Sequence, residues 1–142
     1  MVTKRSVVVA GLLAAAFSAG VLVDRATTVV AQPQNRVFEI RTYTTEEGHL
    51  NALVNRMRRG EARLFDKSGM NGVLFSVAAE PPKATNTFVY IVAHKSLAAA
   101  KESWEKFRAD PEWIKLRESM ESPGPIKVDS TFVNPLDFSQ LK

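Results

Sequence analysis

The chain predicts an α+β fold, a four-stranded antiparallel sheet with two helices on one face, and three observations predict it. Hydrophobic spacing alternates along the chain between a period of two and a period of 3.6, in the order β-α-β-β-α-β. Turn and cap residues fall at the joints between those segments. With 45% hydrophobic and 24% charged residues over 142 positions, the composition suits one globular domain rather than two.

The first strand runs from Arg36 to Thr44, where "VFEIRTY" puts Phe38, Ile40 and Thr42 on one face and Glu39, Arg41 and Tyr43 on the other. A helix from Glu46 to about Lys67 follows, with Leu50, Leu53, Val54, Met57, Leu64 and Phe65 on one face and Thr45 as N-cap. Ser68-Gly69 ends it, and Gly60 inside it weakens a continuous helix by about 1 kcal/mol against alanine. Met70 to Ala79 and Thr87 to His94 are two strands joined by a turn-rich loop, a β-hairpin. Ser96 caps a second helix with Leu97, Ala100, Trp104 and Phe107 on its inner face, and Asp110-Pro111 restarts it as an N-cap followed by proline. Ser122-Pro123-Gly124-Pro125 stops it, and Ile126 to Val133 is the last strand. With right-handed crossovers this order gives the ferredoxin-like arrangement.

Two helices cover only one sheet face. Strands 2 and 3 are apolar on both sides, which predicts burial on both. The expected remedy is a twofold homodimer with the sheets facing each other, and Glu39, Arg41 and Tyr43 are expected to line the space between them.

The first 31 residues read as a separate segment. Lys4 and Arg5 precede an uncharged, mostly apolar run from Val7 to Val23, and Val29-Val30-Ala31 supplies a small-residue site before Gln32-Pro33. This describes a signal peptide cleaved after Ala31, hence an exported, periplasmic or secreted product. The alternative is an inner-membrane anchor, because the run is close to the shortest span. Losing Lys4, Arg5, Arg25 and Asp24 with that segment leaves 16 basic and 14 acidic residues, a net charge of +2. Signs are interspersed apart from Arg56, Arg58, Arg59 and Arg63, which read as the solvated side of a helix, so nucleic acid is not expected as a partner. Without cysteine, disulfides and thiolate chemistry are excluded.

The segments "EIRTY", "LFDKSGM", "WEKFRADPEW" and "NPLDFS" resemble the NIPSNAP family over essentially the whole of residues 32–142. The most specific piece is Trp104 to Trp113, W-x-x-F-x-x-D-P-x-W. The resemblance implies a dimeric α/β barrel of ferredoxin-like subunits, without a settled activity. It also implies a departure: bacterial relatives often carry histidines where Gly60 and Ser68 align here.

Several side chains are candidates for chemistry. Arg41 and Glu39 are either a compensating ion pair or an anchor for a carboxylate or enolate with Glu39 as base. Tyr43 and Tyr90 are candidate ligand contacts. His49 and His94 lie at element ends that could meet a barrel mouth, but neither has a second ligand at metal spacing, so no metal is expected. No phosphate loop, nucleophile elbow or zinc-protease motif is present, and no cofactor is expected. The functional expectation is a module binding a small apolar or aromatic molecule. The alternatives are a cofactor-independent monooxygenase or isomerase and a pure protein-interaction module.

Overall fold

A computed structural model describes residues 36–142, so the predicted signal segment lies outside the described residues. The elements are β1 (Val37–Thr45), α1 (Leu50–Arg56), a π-helical turn (Met57–Glu61), α2 (Ala62–Ser68), β2 (Asn71–Val77), a 3-10 turn (Lys83–Thr85), β3 (Thr87–His94), α3 (Leu97–Ala109), α4 (Pro111–Ser119) and β4 (Ile126–Val133). The sheet order is β2-β3-β1-β4 with every neighbouring pair antiparallel, the ferredoxin-like topology. Among the described residues no helix is long and apolar enough to cross a membrane.

The first helix begins later than Thr45 suggested. Thr45 remains in β1, pairing with Ile126, and Gly48 then turns the chain through a positive φ of 84° before Leu50. The helix is also interrupted where Gly60 predicted weakness, by the wider π turn. A Cβ on Gly60 would stand 3.3 Å from Leu116 Cδ2, so the glycine lets α4 approach. The α2 terminus is a Schellman motif: Gly69 has φ 93°, its N–H donates to Asp66 O at 3.0 Å, and Met70 N–H donates to Phe65 O at 3.0 Å. Ser96 and Asp110 cap α3 and α4 as expected, accepting from Ala99 N at 3.0 Å and Glu112 N at 2.8 Å.

Register assigns the faces. Glu39, Arg41 and Tyr43 stand opposite Val92, Tyr90 and Phe88. Those β3 residues belong to the core that Leu53, Met57, Leu64, Phe65, Phe107 and Trp113 complete from the helices. The polar face of β1 therefore lies under the helices of its own subunit, which corrects the expectation that it lines a gap between two sheets. The other face carries Phe38, Ile40, Thr42, Val89 and Ile91. Strand β2 is also less buried than expected, because it is an edge strand: Leu74, Phe75 and Val77 are exposed.

Phe65 is the aromatic hub of the core. Fully buried, it stacks on Tyr90 at 5.6 Å between centroids and meets Trp104 and Phe107 edge-on at 5.5 and 5.0 Å. Phe65→Ala is expected to lower the unfolding free energy by about 3–5 kcal/mol, read from urea denaturation, because the rings around the void cannot collapse without losing one another.

Candidate functional site

Between sheet and helices lies a polar layer whose centre is Glu39, buried at 1% exposure. Its Oε1 accepts from Arg41 Nη1 at 2.6 Å and from Ser130 Oγ of β4 at 2.7 Å. Its Oε2 accepts from Trp104 Nε1 of α3 at 2.6 Å and lies 3.0 Å from His94 Nε2 of β3. Four elements thus converge on one carboxylate. Burial pushes the Glu39 carboxyl upward, but the bonds from His94, Ser130, Trp104 and Arg41 outweigh it and hold the pKa at about 2.

An ionised carboxylate only accepts, so the His94 nitrogen facing it carries a proton, and when the ring holds no second proton Nδ1 is an acceptor. Glu39, with both oxygens occupied and a pKa near 2, is not poised as a base at neutral pH, whereas His94 carries the spare lone pair.

Arg41 is fixed on several sides. Its guanidinium lies 4.4 Å from the Trp104 ring centroid, and Nη2 donates to Tyr43 OH at 3.3 Å. The same phenol oxygen accepts from Tyr90 OH at 2.9 Å. Burial opposes the charge on Arg41, but its ion pair with Glu39 keeps the guanidinium firmly protonated. Burial also raises the Tyr90 hydroxyl far above its usual range, so it is a neutral donor.

The structure therefore unites Glu39, Arg41, Tyr43, Tyr90 and His94. It does not bring His49 to them. His49 follows the far end of β1, a strand roughly 25–30 Å long, and stands beside Gly124, whose added Cβ would lie 3.6 Å from its Nδ1. Its expected place among the ligand contacts is not supported by this geometry. Two partners escaped sequence reasoning, Trp104 and Ser130. The requirement that a buried indole N–H find an acceptor was the available signal for Trp104; for Ser130 there was none without the register of β4.

A second buried pair lies nearby. Arg56 Nε donates to Glu61 at 2.7 Å across the π turn, and its guanidinium stands 5.2 Å from the Trp113 ring centroid. This corrects the reading of the basic cluster as wholly solvated, since Arg56 is buried while Arg63 is exposed and pairs with Glu112. Burial raises the Glu61 carboxyl, against the lowering effect of Arg56.

At the His94 end of the layer a cleft of about 450 Å³ opens, edged by Arg36, Asn71, Lys95 and Lys142 with His94 in its wall.

The NIPSNAP family profile matches residues 38–140. Among solved structures, a NIPSNAP family protein of unknown function from Agrobacterium tumefaciens superposes with a TM-score of 0.63 at 22% identity, covering 78% of this chain and 97% of that one. An uncharacterised NIPSNAP-like domain protein from Burkholderia xenovorans gives 0.64 at 15% identity, covering 75% and 90%. SnoaB, a cofactor-independent oxygenase from Streptomyces nogalater, gives 0.48 at 13% identity over 75% and 98% of the chains, too distant to bear on activity. At these identities the structures show the fold alone, and sequence comparison with curated proteins returns no match. With the fold, the register and the profile in agreement over residues 38–140, the chain belongs to the NIPSNAP family.

Proposed function

We propose that this NIPSNAP protein is an exported homodimeric module that binds a small, largely apolar or aromatic molecule bearing an acidic or carbonyl group. One observation carries the ligand. Among the described residues, only two buried side-chain nitrogens or oxygens have no hydrogen-bond partner, Arg41 Nε and His94 Nδ1, and both belong to groups bonded to Glu39. An unmatched buried polar atom costs about 1–3 kcal/mol. A donor and an acceptor left unmatched on one rigid node suit recognition of a molecule that supplies the complements. The apolar sheet face supports the homodimer, and the apolar run before Ala31 supports export.

A second reading, a small enzyme working without metal or nucleotide, is favoured by the carboxylate-oriented imidazole: Glu39 holds His94 with its basic nitrogen unengaged, an arrangement suited to proton transfer.

The test is native mass spectrometry of the protein purified gently from its own host, beside Arg41→Lys, which keeps a cation next to Glu39 but loses the planar fork. The expected result is a dimer with a bound small molecule that the variant loses. A bare dimer removes the ligand, and a monomer removes the assembly.

A further inference from the structure

The open face of the sheet is covered at one end only. Beyond β4 the chain returns over that face, where Pro135, Ser139 and Leu141 stand against Phe38, Ile40 and Ile91. Phe38 and its register partner Ala93 are buried there, near the His94 end of β3. Farther along, Thr42 and Val89 are only half-buried, and Asp129 and Lys127 of β4 continue the same face fully exposed.

The covering segment leaves apolar surface of its own in the open. Ser139 N–H donates to Leu136 O at 2.9 Å, which closes a four-residue turn, and the Asp137 side chain accepts from Phe138 N–H at 3.0 Å. Leu136 and Phe138 are 60% and 78% exposed on this turn. A hydrogen-bonded turn holds them in place, which lowers the ordering cost of any contact they make.

The strands have seven to nine residues each. Four of them present a face of roughly 500 Å², part of which the returning segment already occupies. A stable interface takes about 800 Å² from each partner. The sheet alone falls short, and the apolar turn beside it supplies further area. A twofold contact matches one surface to itself, so each copy needs both a projecting group and a place that receives it. The open face carries the turn at one end and uncovered strands at the other.

We infer that residues 134–142 form a dimer arm. A twofold axis running across the strands carries Leu136 and Phe138 of each copy onto the partner's Thr42 and Val89, with Asp137 beside the partner's Lys127. Asp137 forms no ion pair among the described residues, and Lys127 reaches only Asp129, at 3.8 Å. This rests on the homodimer reading above and names the surface and the side chains that close it.

Sedimentation of the protein purified from its own host, over a dilution series, tests the arm beside the Leu136→Ser, Phe138→Ser double variant. Both substitutions fall on exposed side chains, and an unchanged circular dichroism spectrum verifies the fold. The dimer dissociation constant is expected to rise at least about a hundredfold, because four large apolar side chains leave the interface. Since the sequence contains no cysteine, single-cysteine variants read the contact directly. Phe138→Cys mixed with Val89→Cys is expected to give a covalent dimer with a short bis-maleimide, and neither variant alone is expected to do so.

A double variant that dimerises as tightly as the wild type overturns the arm and leaves the homodimer standing. So does a dimer that gives no mixed cross-link, or one in which Phe138→Cys joins only to itself, the result of an axis along the strands that sets turn against turn. A wild-type protein that stays monomeric throughout the series removes the homodimer and the arm together.

Discussion

Glu39→Ala is expected to lower the unfolding free energy by about 3–5 kcal/mol, because it removes the anion from a buried pair and leaves the cation behind. Arg41 would retain Trp104 and Tyr43 as neighbours but no carboxylate among its hydrogen-bond partners, while Ser130, Trp104 and His94 would each lose an acceptor. Urea denaturation monitored by tryptophan fluorescence measures the loss. The same node sets an acid limit. The folded Glu39 pKa of about 2 lies below the ordinary glutamate value of 4.5, so its stabilisation is complete above about 4.5 and is lost as pH falls through about 2. The difference corresponds to about 3 kcal/mol. Glu39→Gln is expected to flatten this part of the acid-unfolding curve; an unchanged curve would place the acid sensitivity elsewhere. Glu61 works in the opposite sense, since its raised pKa gives stability that is present at low pH and is lost as pH rises through its folded value.

Adjacent residues on β3 are expected to give opposite outcomes when charged. Val92 is fully buried on the helix side, so Val92→Asp puts a carboxylate into the core and is expected to unfold the subunit, at a cost above about 4 kcal/mol. Ile91 is half-buried on the other face, beside Ile40 and Leu74. Ile91→Asp is expected to leave the subunit folded and split the proposed dimer. Light scattering after size exclusion, with circular dichroism on the same samples, separates the two effects. A folded Ile91→Asp protein at full dimer mass would exclude the facing-sheet assembly. Phe88, which also points toward the helices, belongs with Val92 in this comparison.

The element order was legible because each joint carries its own chemistry. Strands Thr87–His94 and Ile126–Val133 stand where alternation placed them, and Ser96, Gly69 and Asp110 cap where capping rules put them. Thr45 and the two acids after it mimic a helix start, so the pattern extends the helix over Glu46 to His49, whereas pairing with β4 keeps Thr45 in the strand and the helix starts at Leu50. The site was half legible. Alternation in "VFEIRTY" separates two faces but does not say which one meets the helices, and a face bearing Glu, Arg and Tyr looks like an outer or interfacial surface. It is buried because its charges satisfy each other, which is a property of partners rather than of pattern. Glu39 and His94 are 55 residues apart and become diagonal neighbours only through the β1–β3 register. His94, which has no partner at a recognisable spacing in the sequence, is thus one half of a pair.

The position of Ser130 sets the order in which the molecule can be finished. Glu39 lies in the first strand, yet one of its donors arrives 91 residues later, from the final strand. During synthesis β1 can meet β3 and the helices, but its edge and its central carboxylate stay incomplete until β4 has left the ribosome. Folding of this domain is therefore expected to finish only once β4 is available to pair with β1, with that long-range pairing slowing the last step.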